Sequence, residues 1–163
     1  MKKVVLVTGG AKGIGAACCK LFSRSSYFVL INYFKSYEKA VELEKQIINS
    51  GGDCSILRAD LSKEEEVEEM FSKIERNFGF VDVLINNAGI AEQKLFIETS
   101  LEDWKRIFYS NLFSMFFCCK KVLPSMIRHK KGKIINISSV WGEVGASCEV
   151  VYSSSKAAVI GFT

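Results

Sequence analysis

The chain has 163 residues, of which 48% are hydrophobic and 25% are charged, and its net charge is +4. This balance excludes a disordered chain, and one Pro with 12 Gly excludes collagen-like or Pro-rich sequence. No apolar run reaches the roughly 20 residues of a membrane helix, and the short apolar start does not match a signal peptide. We therefore expect one cytoplasmic domain with neither nucleic acid nor membrane as a partner.

Apolar segments that suit strands alternate along the chain with segments that suit helices. Short apolar runs such as KVVLVT near the start are typical of strands buried on both faces of a parallel sheet. The predicted strands are residues 3–8, 28–33, 53–59, 81–86 and 133–137. The predicted helices are residues 13–25, 36–49, 62–79, 100–129 and one that begins at Tyr152. The alternation predicts an α/β fold, a Rossmann-like doubly wound parallel sheet.

Local signals mark some of these boundaries. Ser62 followed three residues later by Glu65 matches a capping box at a helix start. Gly79 is expected to end that helix, and Pro124 is tolerated near the end of the next one.

Six cysteines are the residues that would form disulfides or bind a metal. They form two adjacent pairs and two isolated positions: Cys18, Cys19, Cys118, Cys119, Cys54 and Cys148. No C-x-x-C occurs, and His129 is the one histidine, so no metal site is predicted. We expect free thiols in a reducing compartment.

A glycine-rich turn joins the first predicted strand to the first helix. In its sequence, TGGAKGIG, Gly9, Gly13 and Gly15 let the backbone turn and approach a phosphate. The helix that follows offers N–H donors and the positive end of its dipole to an anion. A glycine-rich loop alone is a weak signal for a phosphate site, and its placement between a strand and a helix near the N-terminus strengthens it. The spacing is not G-x-G-x-x-G, since three residues separate Gly9 from Gly13.

Two polar segments follow later strands, at the edge where open α/β sheets bind ligands. Asp60 and Leu61 follow the third strand, and Asn87, Ala88 and Gly89 follow the fourth. Each segment alone is also typical of an ordinary turn.

Tyr152 and Lys156 share one face of the last predicted helix. An ammonium near a phenol favours the phenolate, so Tyr152 would exchange a proton near neutral pH. Ser139, just past the fifth strand, would donate a hydrogen bond to a substrate carbonyl oxygen. The Y-x-x-x-K spacing also occurs by chance in many helices.

Together these motifs resemble the short-chain dehydrogenase/reductase family over the whole chain. The shared features follow the family's order: TGGAKGIG, Asp60, NNAG, Asn111, Ser139 and YSSSK. The resemblance implies that Tyr152 is the general acid and that Lys156 assists it and holds the nicotinamide ribose. It also implies that Ser139 rather than Ser138 orients the substrate, and that Asn111 helps to hold a proton-relay water.

The resemblance also implies where the cofactor lies. The glycine-rich turn would face the pyrophosphate, Asp60 would hold the adenine, and Asn87 would line the cleft. The implied cofactor-binding residues are Gly9, Lys12, Gly13, Ile14, Gly15, Lys35, Asp60, Leu61, Asn87, Ala88, Gly89, Tyr152 and Lys156.

Charge favours one form of the cofactor. An acid after the second strand would bind the ribose 2′-OH of NAD, but residues 32–36, NYFKS, contain no acid. Lys12 and Lys35 would instead meet a 2′-phosphate, unless both are simply solvated. We therefore expect NADPH rather than NADH.

The broad resemblance is to the 3-oxoacyl-[acyl-carrier-protein] reductase branch, which implies reduction of a 3-oxoacyl thioester in fatty acid biosynthesis. Residues 141–149, WGEVGASCE, are similar instead to elongation factor P 5-aminopentanone reductases. In that alternative Glu149 or Glu143 faces a cationic substrate amine; otherwise the segment is a surface turn.

Three basic residues, Arg128, Lys130 and Lys131, end the fourth predicted helix, where cations suit the helix dipole. The second interpretation is docking of an acidic protein that carries the substrate, either an acyl carrier protein or elongation factor P.

The resemblance covers the family's fold only as far as the helix that contains Tyr152 and Lys156. Family members have two further strands after the Tyr-Lys helix, so we expect one incomplete domain over residues 1–163, with the fifth strand at an open edge. Full-length members form homo-oligomers. The non-enzyme alternative is a truncated, catalytically inactive nucleotide-binding fragment.

Overall fold

The computed structural model describes residues 2–163 and contains a five-stranded, fully parallel sheet. The strands are β1 Val4–Val7, β2 Phe28–Tyr33, β3 Asp53–Arg58, β4 Val83–Asn86 and β5 Lys133–Asn136. Their order in the sheet is β3-β2-β1-β4-β5. The chain moves outward from β1 to β3 and then crosses back to β4, so β1 and β4 flank the switch point where such sheets bind ligands. The predicted Rossmann-like doubly wound sheet is confirmed.

Helices cover both faces of this sheet. The α-helices of the described residues are α1 Gly13–Arg24, α2 Tyr37–Asn49, α3 Glu64–Phe78, α4 Leu101–Phe108, α5 Ser114–His129, α6 Trp141–Val144 and α7 Val150–Phe162. A 3-10 turn, Phe96–Glu98, precedes α4, and a π-helical segment, Tyr109–Phe113, joins α4 to α5. The predicted long helix over residues 100–129 is confirmed as continuous helical backbone from Leu101 to His129. Its one π-helical turn was not predicted, because hydrophobic spacing does not reveal a single widened turn.

The two faces of the sheet bury separate apolar cores. Leu6, Leu30 and Leu84 are fully buried on the face that packs against α3 and α5. Val5 and Ile31 are fully buried on the other face, which packs against α1 and α2. Burial on both faces explains why β1 is apolar at successive positions. Each such side chain stabilises the fold by roughly 1.5–3 kcal/mol.

The strand β5 occupies one edge of the sheet, as predicted. Its Ile135 is 41% exposed, whereas the β1 residues are almost completely buried. Nearby, the buried Asp82 connects β4 to β1, because its Oδ2 accepts the N–H of Val4 at 2.9 Å. The ammonium of Lys131 lies 2.9 Å from Asp82 Oδ1, at an angle that does not suit a hydrogen bond.

One predicted helix start needs correction. The helix α3 begins at Glu64, and Ser62 does not cap it, because Ser62 Oγ donates to Asp60 Oδ1 at 2.7 Å. A capping box occurs instead at α4, where Ser100 Oγ accepts the N–H of Asp103 and the Asp103 carboxylate accepts the N–H of Ser100.

Three global properties concern the described part of the chain. Within residues 2–163, no helix combines the length and the apolar character needed to cross a membrane. In the same range, no three His, Cys, Asp or Glu side chains are grouped to hold a metal ion. All six cysteines are free thiols.

Candidate active site

A cleft of about 600 Å³ opens along the carboxyl ends of β1 to β4. This volume and position are those of a typical ligand site in an open α/β sheet. The predicted residues in its wall are Gly9, Lys12, Lys35, Asp60, Leu61, Ala88 and Gly89. The wall also contains residues that sequence reasoning did not single out, among them Asn32, Phe34, Ser36 and Arg106.

The glycine-rich turn packs against the turn after β4 more closely than a side chain allows. A Cβ on Gly15 would lie 2.6 Å from both Asn87 Nδ2 and Gly9 O. Lys12 stands at the N-cap of α1 and offers no side-chain acceptor to the helix. The first-turn N–H groups of a helix have no intrahelical acceptor, so those of α1 are available to an anion.

Four predicted cofactor residues lie beside or behind the cleft wall: Gly13, Ile14, Gly15 and Asn87. The Asn87 amide donates to Thr8 O at 2.9 Å and to Gly9 O at 3.1 Å. In return, Thr8 Oγ1 accepts the N–H groups of Asn87 and Ala88 at 2.9 and 3.0 Å. Asn87 and Thr8 therefore clamp the two turns together. The sequence reasoning missed Thr8.

Asn32, buried at the end of β2, ties the glycine-rich turn to β3. Its Oδ1 accepts the N–H of Gly9 at 3.2 Å, and its Nδ2 lies 3.3 Å from both Leu57 O and Ala59 O, to which it donates. The sequence showed Asn32 only as part of an acid-free segment, because its partners lie up to 27 residues away.

The cleft wall carries positive charge near the end of β2. Lys12 and Lys35 both line it. Within residues 2–163, neither lysine forms an ion pair. Arg106, in contrast, contributes to the wall while paired with Glu92 and Asp103.

Asp60 lines the cleft, and its own turn holds it in place. Its Oδ1 accepts the N–H and the hydroxyl of Ser62 at 3.1 and 2.7 Å. Its N–H donates to Glu66 Oε2 at 2.8 Å, and this hydrogen bond lowers the pKa of Glu66. The other Asp60 oxygen remains available to a ligand.

The π-helical segment presents Asn111 inward, where it is 2% exposed. Its Oδ1 accepts the N–H of Ile90 at 2.7 Å, and its Nδ2 donates to Ile90 O and Ser155 Oγ, each at 2.9 Å. Asn111 thus connects the turn after β4 to α7. Widened helical turns of this kind are frequent at functional sites.

Tyr152 and Lys156 lie together on α7. Lys156 Nζ donates to Ile137 O at 2.8 Å and lies 5.9 Å from the centroid of the Tyr152 ring. Burial lowers the pKa of the Lys156 ammonium. A Cβ on Gly89 would lie 3.7 Å from Lys156 Nζ and 3.0 Å from Asn111 Oδ1. Asn111 and Lys156 therefore lie against Gly89, which is part of the cleft wall. The predicted catalytic residues Asn111, Ser139, Tyr152 and Lys156 are not themselves part of that wall.

The two serines after β5 have different hydrogen bonds. Ser138 Oγ donates to Lys156 O at 2.8 Å, so its proton is already used. Ser139 Oγ accepts the N–H of Trp141 at 3.2 Å, which leaves its own proton for a ligand oxygen. This difference favours Ser139 as the donor.

The two acids considered for an amine-bearing substrate lie outside the wall of this cleft. Glu149 Oε1 accepts a hydrogen bond from Gln93 Nε2 at 3.0 Å, and Glu143 is exposed on α6.

The family model described as short chain dehydrogenase matches residues 3–163. A 3-oxoacyl-[acyl-carrier-protein] reductase FabG of Staphylococcus epidermidis is 37% identical over 163 residues, which are 100% of this chain and 67% of the relative. A 3-oxoacyl-[acyl-carrier-protein] reductase of Synechocystis is 38% identical over 161 residues, 99% of this chain and 65% of the relative. The chain thus spans about two thirds of the length of these relatives.

A crystal structure of a metagenomic short-chain oxidoreductase in complex with NADP superposes with a TM-score of 0.94 at 28% identity. The match covers 98% of this chain and 72% of that one. Its cofactor is the phosphorylated form that the sequence of this chain predicts. The family match over residues 3–163, the relatives and this neighbour agree with the resemblance inferred from the motifs. The chain belongs to the short-chain dehydrogenase family of NAD(P)-dependent oxidoreductases.

Proposed function

We propose that this chain uses NADPH to reduce the ketone of a 3-oxoacyl thioester to an alcohol. The observation that carries the proposal is the Tyr152–Lys156 pair: the Lys156 ammonium lies 5.9 Å from the centroid of the Tyr152 ring and donates to Ile137 O, next to Gly89 in the cleft wall. The similarity to two 3-oxoacyl-[acyl-carrier-protein] reductases and to an NADP-bound oxidoreductase supports the choice of substrate and cofactor.

The residues present fit a phosphorylated dinucleotide. The first-turn N–H groups of α1 suit a pyrophosphate. Gly15, in that turn, has no side chain, and a Cβ there would collide with Gly9 O and Asn87 Nδ2. Lys12 and Lys35, both without an ion-pair partner in the described chain, suit a 2′-phosphate. Asp60 has a free carboxylate oxygen for the adenine. When bound, NADPH supplies the hydride.

The chain's own residues then handle the substrate oxygen and the proton. The free hydroxyl proton of Ser139 orients the ketone by donating to its oxygen. Tyr152 donates its phenolic proton to that oxygen as negative charge develops there. The Lys156 ammonium, 5.9 Å from the ring centroid, stabilises the phenolate that remains. Asn111 keeps Ile90 and α7 at a fixed distance through its three hydrogen bonds.

The test is NADPH consumption with acetoacetyl-coenzyme A as the probe, compared between the unchanged chain and Tyr152→Phe. We expect turnover by the unchanged chain and a loss of about 10²–10⁴-fold in Tyr152→Phe, since a positioned acid contributes that much. NADPH should still bind to Tyr152→Phe, because the other implied cofactor-binding residues are unchanged. A chain that binds NADPH but consumes none with any 3-oxoacyl thioester contradicts the proposal. If an amine-bearing ketone is not reduced either, the chain is an inactive nucleotide-binding protein.

We also propose that an acidic carrier protein presents the substrate at the end of α5. Arg128 and Lys130 are exposed there without an ion pair in the described chain, whereas Lys131 lies against Asp82. Changing Arg128 and Lys130 to Ala should raise KM for a carrier-bound thioester and leave KM for the coenzyme A thioester unchanged. Equal effects on both substrates would contradict carrier docking. An amine-bearing ketone, the substrate class of the alternative function, belongs in the same assay. We further propose a cytoplasmic location and the formation of a homo-oligomer.

A further inference from the structure

Arg58, the last residue of β3, is an exposed cation that the cofactor predictions did not include. Its guanidinium carbon lies 5.6 Å from the centroid of the Phe34 ring, and Phe34 is part of the cleft wall. The Lys35 ammonium lies 5.7 Å from the centroid of the same ring. The Phe34 ring therefore makes cation–π contacts with both Arg58 and Lys35.

No acid neutralises this pair of cations. Within residues 2–163, Arg58 and Lys35 form no ion pair. The acid whose charge interacts with Arg58 is Glu66, and it already accepts hydrogen bonds from Lys63 at 3.0 Å and from the N–H of Asp60 at 2.8 Å. Lys12 and Lys35 line the cleft, and Arg58 lies beside its wall at Phe34, so three positive charges lie in or next to the cleft. Like charges this close repel each other, and an anion among them removes that repulsion.

Neutral donors accompany the charges. Ser36, at the N-cap of α2, lines the cleft, and its side chain makes no capping hydrogen bond. The hydroxyl and the first-turn N–H groups of this 13-residue helix are therefore available. Three cations, a hydroxyl and free N–H groups together make a site for a dianionic phosphate monoester.

We infer that Arg58 is a specificity-determining residue that binds the 2′-phosphate of NADPH together with Lys35. This inference rests on the proposed function, and it adds a residue from β3 to a site that the sequence placed on Lys12 and Lys35. An Arg guanidinium matches phosphate oxygens with two parallel N–H donors, which a Lys ammonium cannot do. Phe34 holds the planar guanidinium at the rim before the phosphate arrives.

The test measures dissociation constants of the full chain for two pairs of probes by calorimetry. Adenosine 2′,5′-bisphosphate against 5′-AMP isolates the phosphate, and NADPH against NADH repeats the comparison with the whole cofactor. Arg58→Ala should weaken both phosphorylated probes about tenfold and leave 5′-AMP and NADH within about twofold. Arg58→Lys should fall between Arg58→Ala and the unchanged chain.

The matched control is Arg76→Ala, which removes the same charge from the exposed last turn of α3, away from the cleft. It should change no affinity by more than about twofold. The inference is overturned if Arg58→Ala leaves the affinity for the phosphorylated probes unchanged, or weakens all four probes equally. Failure of the proposed function has a different signature, since the unchanged chain would then bind NADPH without consuming it in the presence of a 3-oxoacyl thioester.

Discussion

Replacing Gly15 with alanine tests whether the close contact between the two cleft turns stabilises the fold and shapes the site. The new Cβ would lie 2.6 Å from Gly9 O and from Asn87 Nδ2, and 2.9 Å from Gly10 Cα. Two of these three atoms belong to the backbone, and the Asn87 amide is held by two hydrogen bonds, so none of them moves easily. The contact can be relieved only by separating the turns.

The expected change in the free energy of unfolding for Gly15→Ala is the sum of opposing effects. Inserting a methyl group into a packed contact costs about 1–3 kcal/mol, and weakening the Asn87 hydrogen bonds costs about 1 kcal/mol more. The higher helix propensity of alanine recovers at most about 1 kcal/mol. We expect a net loss of about 2 kcal/mol in the free energy of unfolding. For a chain of this size that lowers the thermal midpoint by roughly 4–8 °C.

The assay is thermal unfolding followed by circular dichroism, with and without excess NADPH. Gly161→Ala is the matched control, because Gly161 also lies in a helix and a Cβ there meets nothing within 4 Å. That control should melt at the same temperature as the unchanged chain or up to a few degrees higher. Gly15→Ala should also lose most of the upward shift that NADPH produces, because the two turns move apart. If the two variants melt alike, the steric reasoning is refuted.

Three further predictions concern stability and thiol reactivity. Ser100→Ala removes the cap of α4 and should lower the free energy of unfolding by about 1 kcal/mol in denaturant titrations; an unchanged midpoint would show that the cap is redundant. The hydrogen bond from Lys94 holds the pKa of Asp103 below its usual range, so its stabilisation is present above about pH 4 and disappears as the pH falls further. Asp103→Asn should therefore melt lower than the unchanged chain at pH 7, and the gap should close in acid rather than stay constant. Burial raises the pKa of Cys19 to about 12 and that of Cys54 to about 11, so both should alkylate at neutral pH only after denaturation; rapid labelling of the folded chain would contradict this.

Several features of the fold and the site were predictable because their signals are local. The strand β1 is apolar at every position since both faces of the sheet are covered, and Gly79 ends α3 with a positive φ of 80°. The motif residues after β1, β3 and β4 were predicted to meet because parallel strands end at a common edge. The structure places Gly9, Asp60 and Gly89 in one cleft wall, as that rule requires.

Other features depended on which segments the fold brings together. The spacing of Ser62 and Glu65 predicted a cap, but Ser62 donates to Asp60 instead because the turn after β3 places that acceptor within 2.7 Å. The periodicity of residues 100–129 gave no sign of the π-helical turn at Asn111. The hydrogen-bond partners of Asn111 in that turn are Ile90 and Ser155, which are 21 and 44 residues away.

The sequence by itself determined the order of the elements, the family and the set of motif residues, because hydrophobic periodicity and turn chemistry act over a few neighbouring residues. Only the tertiary structure decided whether Ser138 or Ser139 keeps a hydroxyl proton free for a ligand. It also decided which cations of the described residues form no ion pair. It also placed Arg58 beside Phe34, across two neighbouring strands of the sheet. These properties are hydrogen bonds and charge contacts between residues distant along the chain. Such contacts depend on distances that exist only after the sheet has assembled.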